Sequence, residues 1–351
     1  MQHARHGDPL SQTIVGDFYH EGIGGVQRDF RVAQEWYLKA ARQNFAAAER
    51  KIGYAYEHGI NVRQNIDKAL EWYLKAAAKG DVRAIYSLGV VHENYRLHSD
   101  RAAFQYYLRA AEAGYHRAQT RLGYCYYYGV GTDVDKEAAF FWYEKAASIG
   151  NPEAQYALAY FYKTGTVVPV DEAKTIELYT AAAEAGNLQA LLSLASCYEI
   201  GDLVPENFSK AFDLYSQAAS TGDGEGMACL GYCWEAGIGV VPDHDTAFNW
   251  YLKAAGTGDA RGMFLLGCAY AEGIGTNVDM DRATYWLQYA ADAGEERARE
   301  FLDQLRNNNE ASTSGRSYRD EVPRLDEYAD EDDEYDPEAS VQDEVNDEYV
   351  S

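Results

Sequence analysis

The sequence predicts an all-α protein, a right-handed α/α superhelical solenoid of helical hairpins followed by an acidic, disordered C-terminal tail. Three observations carry this reading. The string WYLKAA occurs at residues 36–41, 72–77 and 250–255. Its marker position, occupied by Trp36, Trp72, Tyr106, Trp142, Leu178, Leu214, Trp250 and Trp286, recurs every 36 residues, with one interval of 34. Near residue 310 the period stops and acidic residues take over. A fixed period of this length marks stacked supersecondary units, each unable to bury its own faces alone.

The second helix of each unit is the easiest to read. Every marker has an alanine pair four and five residues later, from Ala40–Ala41 to Ala290–Ala291. All but one have alanine three residues earlier, Thr175 being the exception. Ala69, Trp72, Tyr73, Ala76 and Ala77 therefore share one face of an amphipathic helix. A glycine follows at 80, 114, 150, 186, 222, 258 and 294, with Asn44 in the first unit; these residue types accept the left-handed turn that ends a helix. Acidic residues before the second helices, such as Asp133 and Asp135 or Asp243 and Asp245, suit helix N-caps.

The first helix carries a small residue at Gly16, Gly53, Gly89, Gly123, Ala159, Ala195, Gly231 and Gly267, each preceded by an aliphatic one. Glycine within a helix costs up to about 1 kcal/mol against alanine. Its recurrence implies close approach, expected here from the backbone of a neighbouring helix. Eight hairpins then fill residues 1–294, in units of about 7–43, 44–80, 81–114, 115–150, 151–186, 187–222, 223–258 and 259–294. Residues 295–309 read as a capping helix, because Asp303 stands where a further small residue belongs, and 310–351 as the tail.

Units such as LGYCYYYGVGTDVDKEAAFFWYEKAASIG, within 118–150, resemble the Sel-one-like repeat (SLR), a 36-residue branch of the tetratricopeptide superfamily. The resemblance spans about residues 7–309. It implies a superhelix whose first helices line a concave groove. It also implies adaptor roles of the kinds met in ubiquitin-linked degradation, in activation of membrane enzymes and in bacterial host interaction. Two departures stand out. The third unit is two residues short, with Tyr95 where the others have a second glycine, which predicts a change of pitch around 94–100. At the start, HARHG (3–7) resembles the closing turn AAAKG (76–80), as though the chain began inside a preceding repeat.

Charge narrows the partners. The chain holds 31 Lys/Arg and 56 Asp/Glu, a net charge of −25. Residues 1–130 carry 17 basic against 13 acidic groups, whereas 131–351 carry 14 against 43. An acidic balance of this size disfavours nucleic acid and anionic membrane surfaces. No apolar run approaches the roughly 20 residues that cross a bilayer, so direct membrane insertion is not expected. Five cysteines do not form a disulfide framework. With no signal-peptide pattern at the start, a cytoplasmic location is expected.

No catalytic constellation emerges. The Gly-x-Gly loops at 22–24, 129–131, 237–239 and 273–275 lack the preceding strand of a nucleotide fingerprint and read as turns. Cys125, Cys197 and Cys233 share one apolar repeat position; Cys229 and Cys233 lie four apart, but no further pair completes a zinc set. No metal, cofactor or enzymatic activity is expected, a hydrolase being a remote alternative. If first helices line the groove, its exposed positions hold Arg50, Tyr54, Arg83, Tyr86, Arg117, Tyr124, Tyr127, Tyr128, Tyr156, Tyr160, Lys163 and Tyr232. Tyrosine supplies area and a hydroxyl for recognising a protein or peptide segment, although the same rings can serve packing between repeats. The expected function is a non-enzymatic adaptor; the alternative is a regulatory subunit of a membrane enzyme or ubiquitin ligase. The tail, with Tyr328, Tyr335 and Tyr349 in repeated Asp-Glu-Tyr strings, serves as a solubiliser, as a set of phosphorylation sites, or as an intramolecular competitor folded onto repeats 2–4.

Overall fold

The computed structural model describes residues 2–96 and 99–312, and among these all regular structure is helical. They form two compact units, one running to Val170 and the other starting at Asp171. The first unit comprises α1 (Gln2–Arg5), α2 (Pro9–Glu21), α3 (Phe30–Ala41), α4 (Ala46–His58), α5 (Ile66–Ala77), α6 (Val82–Val91), α7 (Asp100–Glu112), α8 (His116–Tyr128), α9 (Lys136–Ala147) and α10 (Pro152–Thr164). Here α2/α3, α4/α5, α6/α7 and α8/α9 are hairpins, and each second helix packs on the next first helix, ending with α9 on α10. The second unit comprises α11 (Glu172–Glu184), α12 (Leu188–Ile200), α13 (Phe208–Ser220), α14 (Gly224–Ala236), α15 (His244–Thr257), α16 (Ala260–Glu272), α17 (Met280–Asp292) and α18 (Glu296–Ser312). Its hairpins are α12/α13, α14/α15 and α16/α17, with α11 on α12 and α18 on α17.

Helix ends follow local chemistry. Asp29, Asn65, Asp135, Asp171, Asn207, Asp243 and Asp279 cap the second helices with their side chains. Of the two acidic pairs proposed as caps, only Asp135 and Asp243 act so, because the capping residue must be extended directly before the first turn; Asp135 accepts from the Ala138 N–H at 2.8 Å. The glycines that follow the second helices have φ between 84° and 103°, and Asn44 has φ 61°.

WYLKAA now resolves into three jobs. Its tyrosine is the core residue: Tyr73 and Tyr251 are fully buried, as are Tyr107 and Tyr143 at the same position of other repeats, together with the alanines Ala40, Ala76 and Ala254 and their equivalent Ala110. The tryptophan is half-buried and covered by the lysine one turn on, with Lys39 4.0 Å from the Trp36 ring, Lys75 4.3 Å from Trp72 and Lys253 3.8 Å from Trp250.

The glycines of the first helices answer to the tyrosine rather than to a neighbouring backbone, which corrects the expected cause. A Cβ added at Gly53 would lie 2.7 Å from the Tyr73 ring, and one at Gly89 2.5 Å from Tyr107. Gly16, Gly123 and Gly231 meet Tyr37, Tyr143 and Tyr251 in the same way. Glycine costs about 1 kcal/mol in a helix; overpacking costs about 1–3 kcal/mol. Glycine is therefore the cheaper solution under a fixed ring.

The short third repeat ends its first helix differently. After α6 the residues His92–Arg96 form a π-helical turn. A tyrosine does not readily take the left-handed turn that glycine supplies elsewhere, so the chain widens the helix instead. At the start, Gly7 (φ 96°) donates to Ala4 O and Asp8 to His3 O, the pattern made by Gly80 with Ala77 and by Asp81 with Ala76. HARHG thus reproduces the closing turn of a second helix. In α18, Phe301, Leu302 and Leu305 are buried while Asp303 is exposed. The tail tyrosines Tyr328, Tyr335 and Tyr349 lie outside the described residues.

Candidate protein-binding face

The ring that presses on the glycine also carries a hydroxyl, and burial forces that hydroxyl to find a partner. It finds a carboxylate on the first helix of its own hairpin or, for Glu93, in the π-helical turn that follows it. Tyr37 donates to Asp17 at 2.6 Å, Tyr73 to Glu57 at 2.6 Å, Tyr107 to Glu93, Tyr215 to Glu199 at 2.7 Å and Tyr251 to Glu235 at 2.6 Å. The glutamates all stand four residues after the small residue, one helical turn along the same face. Sequence reasoning missed this ladder, although its signal was present: tyrosine after the marker in seven repeats, and glutamate at a fixed offset in four.

In two hairpins of the first unit a cation from the following hairpin joins the carboxylate, while the equivalent position after Glu57 holds Ser87. Lys51 lies 3.1 Å from Asp17, and Arg121 lies 2.5 Å from Glu93. Both cations occupy the position two before the glycine. Burial works against the Arg121 charge, but Tyr107 and Glu93 more than offset it and its pKa rises. Burial, in turn, drives the Tyr107 phenol well above its ordinary range. In the second unit the same position holds Cys229 and Leu265. Among the described residues no lysine or arginine pairs with Glu199 or Glu235. Burial pushes the Glu235 carboxyl up, and burial with the nearby Glu235 charge does the same to Glu272.

Three of the twelve residues expected on an exposed groove are buried: Arg50, Tyr54 and Tyr86. Their positions face the next hairpin. Arg50 Nε is 3.4 Å from Asp81 Oδ1, the cap of α6. Tyr54 packs on His58 of its own helix at 4.2 Å and shares a core cluster with Ala84 and Leu88 of α6. Tyr86 packs on Tyr107 of its own hairpin at 5.5 Å and on Tyr115, just before α8, at 5.2 Å. Arg83, Arg117, Tyr124, Tyr127, Tyr156, Tyr160, Lys163 and Tyr232 are half-buried, and Tyr128 is exposed.

Four of these tyrosines come together on α8 and α10. Tyr128 lies 4.8 Å from both Tyr124 and Tyr127, and Tyr127 lies 6.4 Å from Tyr160, ring centre to ring centre. Arg121 stands over Tyr124 at 5.2 Å and Lys136 over Tyr127 at 5.1 Å. Tyr156 and Lys163 also lie on α10, whereas Tyr232 is on α14 in the second unit.

The Gly-x-Gly loops pack. A Cβ at Gly131 would sit 2.1 Å from Asp100 O, and one at Gly239 2.3 Å from Phe208 O, so the second glycine lets the loop touch the start of the preceding second helix. The cysteines are buried; burial raises the Cys125 and Cys229 thiols to about 12, far from the thiolate that metals and electrophiles require.

Eight stretches match the family model described as Sel1 repeat: residues 9–45, 46–81, 82–115, 116–151, 152–187, 188–223, 225–259 and 260–295. Among solved structures the chain is similar to a protective antigen of uropathogenic Escherichia coli displaying an SLR fold, at 30% identity and TM-score 0.66, over 86% of this chain and 65% of the antigen. It is similar also to a Sel1 repeat protein from Oxalobacter formigenes, at 28% identity and TM-score 0.63, over 87% of this chain and 89% of that one. A Sel1-like repeat-containing protein of Acanthamoeba polyphaga mimivirus is 28% identical over 135 residues, which is 38% of this chain and 24% of the relative. The chain thus spans about a quarter of that relative's length and just under two thirds of the antigen's.

Proposed function

The chain belongs to the Sel1 repeat family, and from that premise we propose that it is a non-enzymatic adaptor whose first-helix face in α8 and α10 holds a protein or peptide segment. The observation that supports this reading is the tyrosine cluster Tyr124, Tyr127, Tyr128 and Tyr160, with cations standing over two of its rings. Aromatic rings beside arginine give large contact area at low entropic cost, the composition enriched where interfaces carry their energy. The packing role of Arg50, Tyr54 and Tyr86 confines the proposed surface to the later helices of the first unit.

The test is partner capture with intact chain and with a Tyr124→Ala/Tyr160→Ala/Arg117→Ala variant, followed by affinity measurement on each partner identified. Truncating hot-spot side chains costs about 2 kcal/mol or more each. A fall in affinity of well over tenfold, with the helical signal and melting midpoint retained, is expected. Unchanged affinity in a folded triple variant would place the binding surface elsewhere.

A further inference from the structure

Three first helices of the first unit, α4, α6 and α8, are together basic, whereas α2 (Asp17, Glu21) is acidic and α10 (Glu153, Lys163) is balanced. The first helices α12, α14 and α16 of the second unit are together acidic. In the first unit α4, α6 and α8 hold five basic residues, Arg50, Lys51, Arg83, Arg117 and Arg121, against two acidic ones, Glu49 and Glu57. In the second unit α12, α14 and α16 hold one basic residue, Arg261, against Glu199, Glu225, Glu235 and Glu272. Arg83 and Arg117 share one register, six residues before the glycine, on successive first helices of the first unit. Both are half-buried. Next to this basic stretch lies the tyrosine cluster of α8 and α10.

One segment of this chain has the complementary chemistry. Residues 325–351 contain 13 Asp/Glu, no Lys or Arg, and the tyrosines Tyr328, Tyr335 and Tyr349. We propose that this segment docks on the first-helix face of α6, α8 and α10, its carboxylates against Arg83 and Arg117 and its tyrosines against the Tyr124–Tyr128 cluster, and so occupies the surface an external partner needs. The inference rests on the proposed binding role of that face and names the class of ligand it takes: an acidic peptide interleaved with aromatics.

Several weak terms act together. An exposed ion pair contributes about 0–1 kcal/mol, too little to hold a separate peptide. A tethered segment needs fewer contacts than a separate peptide wherever its linker spans the distance, because its binding is then intramolecular. The acidic first helices of the second unit repel the same segment, which directs it to the first. Screening shortens the reach of charge from about 10 Å at 0.1 M salt to about 3 Å at 1 M, so the contact is salt-labile. Phosphorylation of a tail tyrosine would add charge and strengthen it.

The experiment uses the intact chain with isotopically labelled tyrosine amides, read by NMR for Tyr328, Tyr335 and Tyr349. At about 0.1 M salt these signals are expected to be shifted and broadened away from random-coil positions, and to return to them at about 1 M. An Arg83→Glu/Arg117→Glu variant should show the coil signals already at low salt, and a Lys174→Glu/Lys210→Glu control should not. Coil positions at both salts would overturn the proposal. So would signals that are displaced but indifferent to the arginine reversal, or displacement that disappears on dilution, which would assign the contact to a second copy. Should the arginine variant fail to fold, the salt titration of the unaltered chain decides alone. Loss of partner binding in the Tyr124 variant without any tail displacement would sink this inference and leave the proposed function standing.

Discussion

Tyr107 in the first unit and Tyr251 in the second sit at the same repeat position, press on equivalent glycines (Gly89 and Gly231) and donate to equivalent glutamates (Glu93 and Glu235). Only the third member of the group differs. Glu93 receives Arg121 from the following hairpin, whereas Glu235 meets no lysine or arginine among the described residues and its carboxyl is pushed up by burial. A repeat therefore specifies a hydrogen bond within the hairpin, and the residue two before the next glycine specifies the electrostatics between hairpins. In the first unit Lys51 and Arg121 use that position to join neighbours, while Ser87 offers Glu57 no charge there. In the second, Cys229 and Leu265 supply no charge there, and Arg261 acts on Glu225 and Glu199 from another position.

The largest expected effect falls on the locked version. Arg121→Ala strands Glu93 beside a buried phenol, and removing one member of a buried pair costs about 3 kcal/mol or more. Thermal and urea unfolding should show this, together with faster amide exchange in α6 to α8. Arg121→Met combined with Glu93→Gln should recover most of the loss; failure to recover would mean that the ion pair is not what joins the hairpins.

Next comes the ring contact common to both units. Gly53→Ala and Gly231→Ala each drive a methyl into a buried tyrosine, 2.7 and 2.6 Å from its ring carbons, and should cost about 2 kcal/mol apiece. Adding Tyr73→Ala to the first should remove the clash, so that Gly53→Ala adds little in that background; a leucine would not serve, since a Cβ added at Gly267 would already lie 2.7 Å from Leu287. An undiminished extra cost of Gly53→Ala in the Tyr73→Ala background would reassign the glycine to some other neighbour.

The unlocked version has its own signature in pH. Burial raises the Glu235 carboxyl above its ordinary value of 4.5, while the hydrogen bond from Tyr251 acts the other way and does not overcome it. The folded form then keeps its proton to higher pH than the unfolded chain. Stability contributed by this group is fully present below about pH 4.5 and falls as pH rises through the window just above it. Glu235→Gln should remove that decline and melt higher than the unaltered chain at pH 7. A lower melting midpoint at pH 7 would show that the ionised form is the stabilising one. Smallest of all, Lys75→Ala should cost about 0.5 kcal/mol, the usual worth of an exposed cation–π contact such as that over Trp72.

The sequence by itself determined a good deal. Its period placed the hairpins, because an apolar face must recur each time a helix returns to the stack. Aspartate or asparagine before a helix and glycine or Asn44 after one marked the ends, because caps and left-handed turns depend only on neighbouring residues. The tyrosine cluster was also legible as residues, since Tyr124, Tyr127, Tyr128 and Tyr160 fall at fixed offsets from Gly123 and Ala159.

What only the tertiary structure decided concerns distances between elements far apart in the chain. Arg50, Tyr54 and Tyr86 looked like surface from one helix alone and are buried because the next hairpin covers them. The helix-interior glycines announced close approach without revealing that the intruder is a tyrosine ring of the same hairpin. Whether a glutamate one turn beyond the small residue meets an arginine depends on the residue that the next hairpin brings opposite it. Periodicity reports which face of a helix is apolar; burial, ion pairing and protonation depend on the atoms that stand opposite.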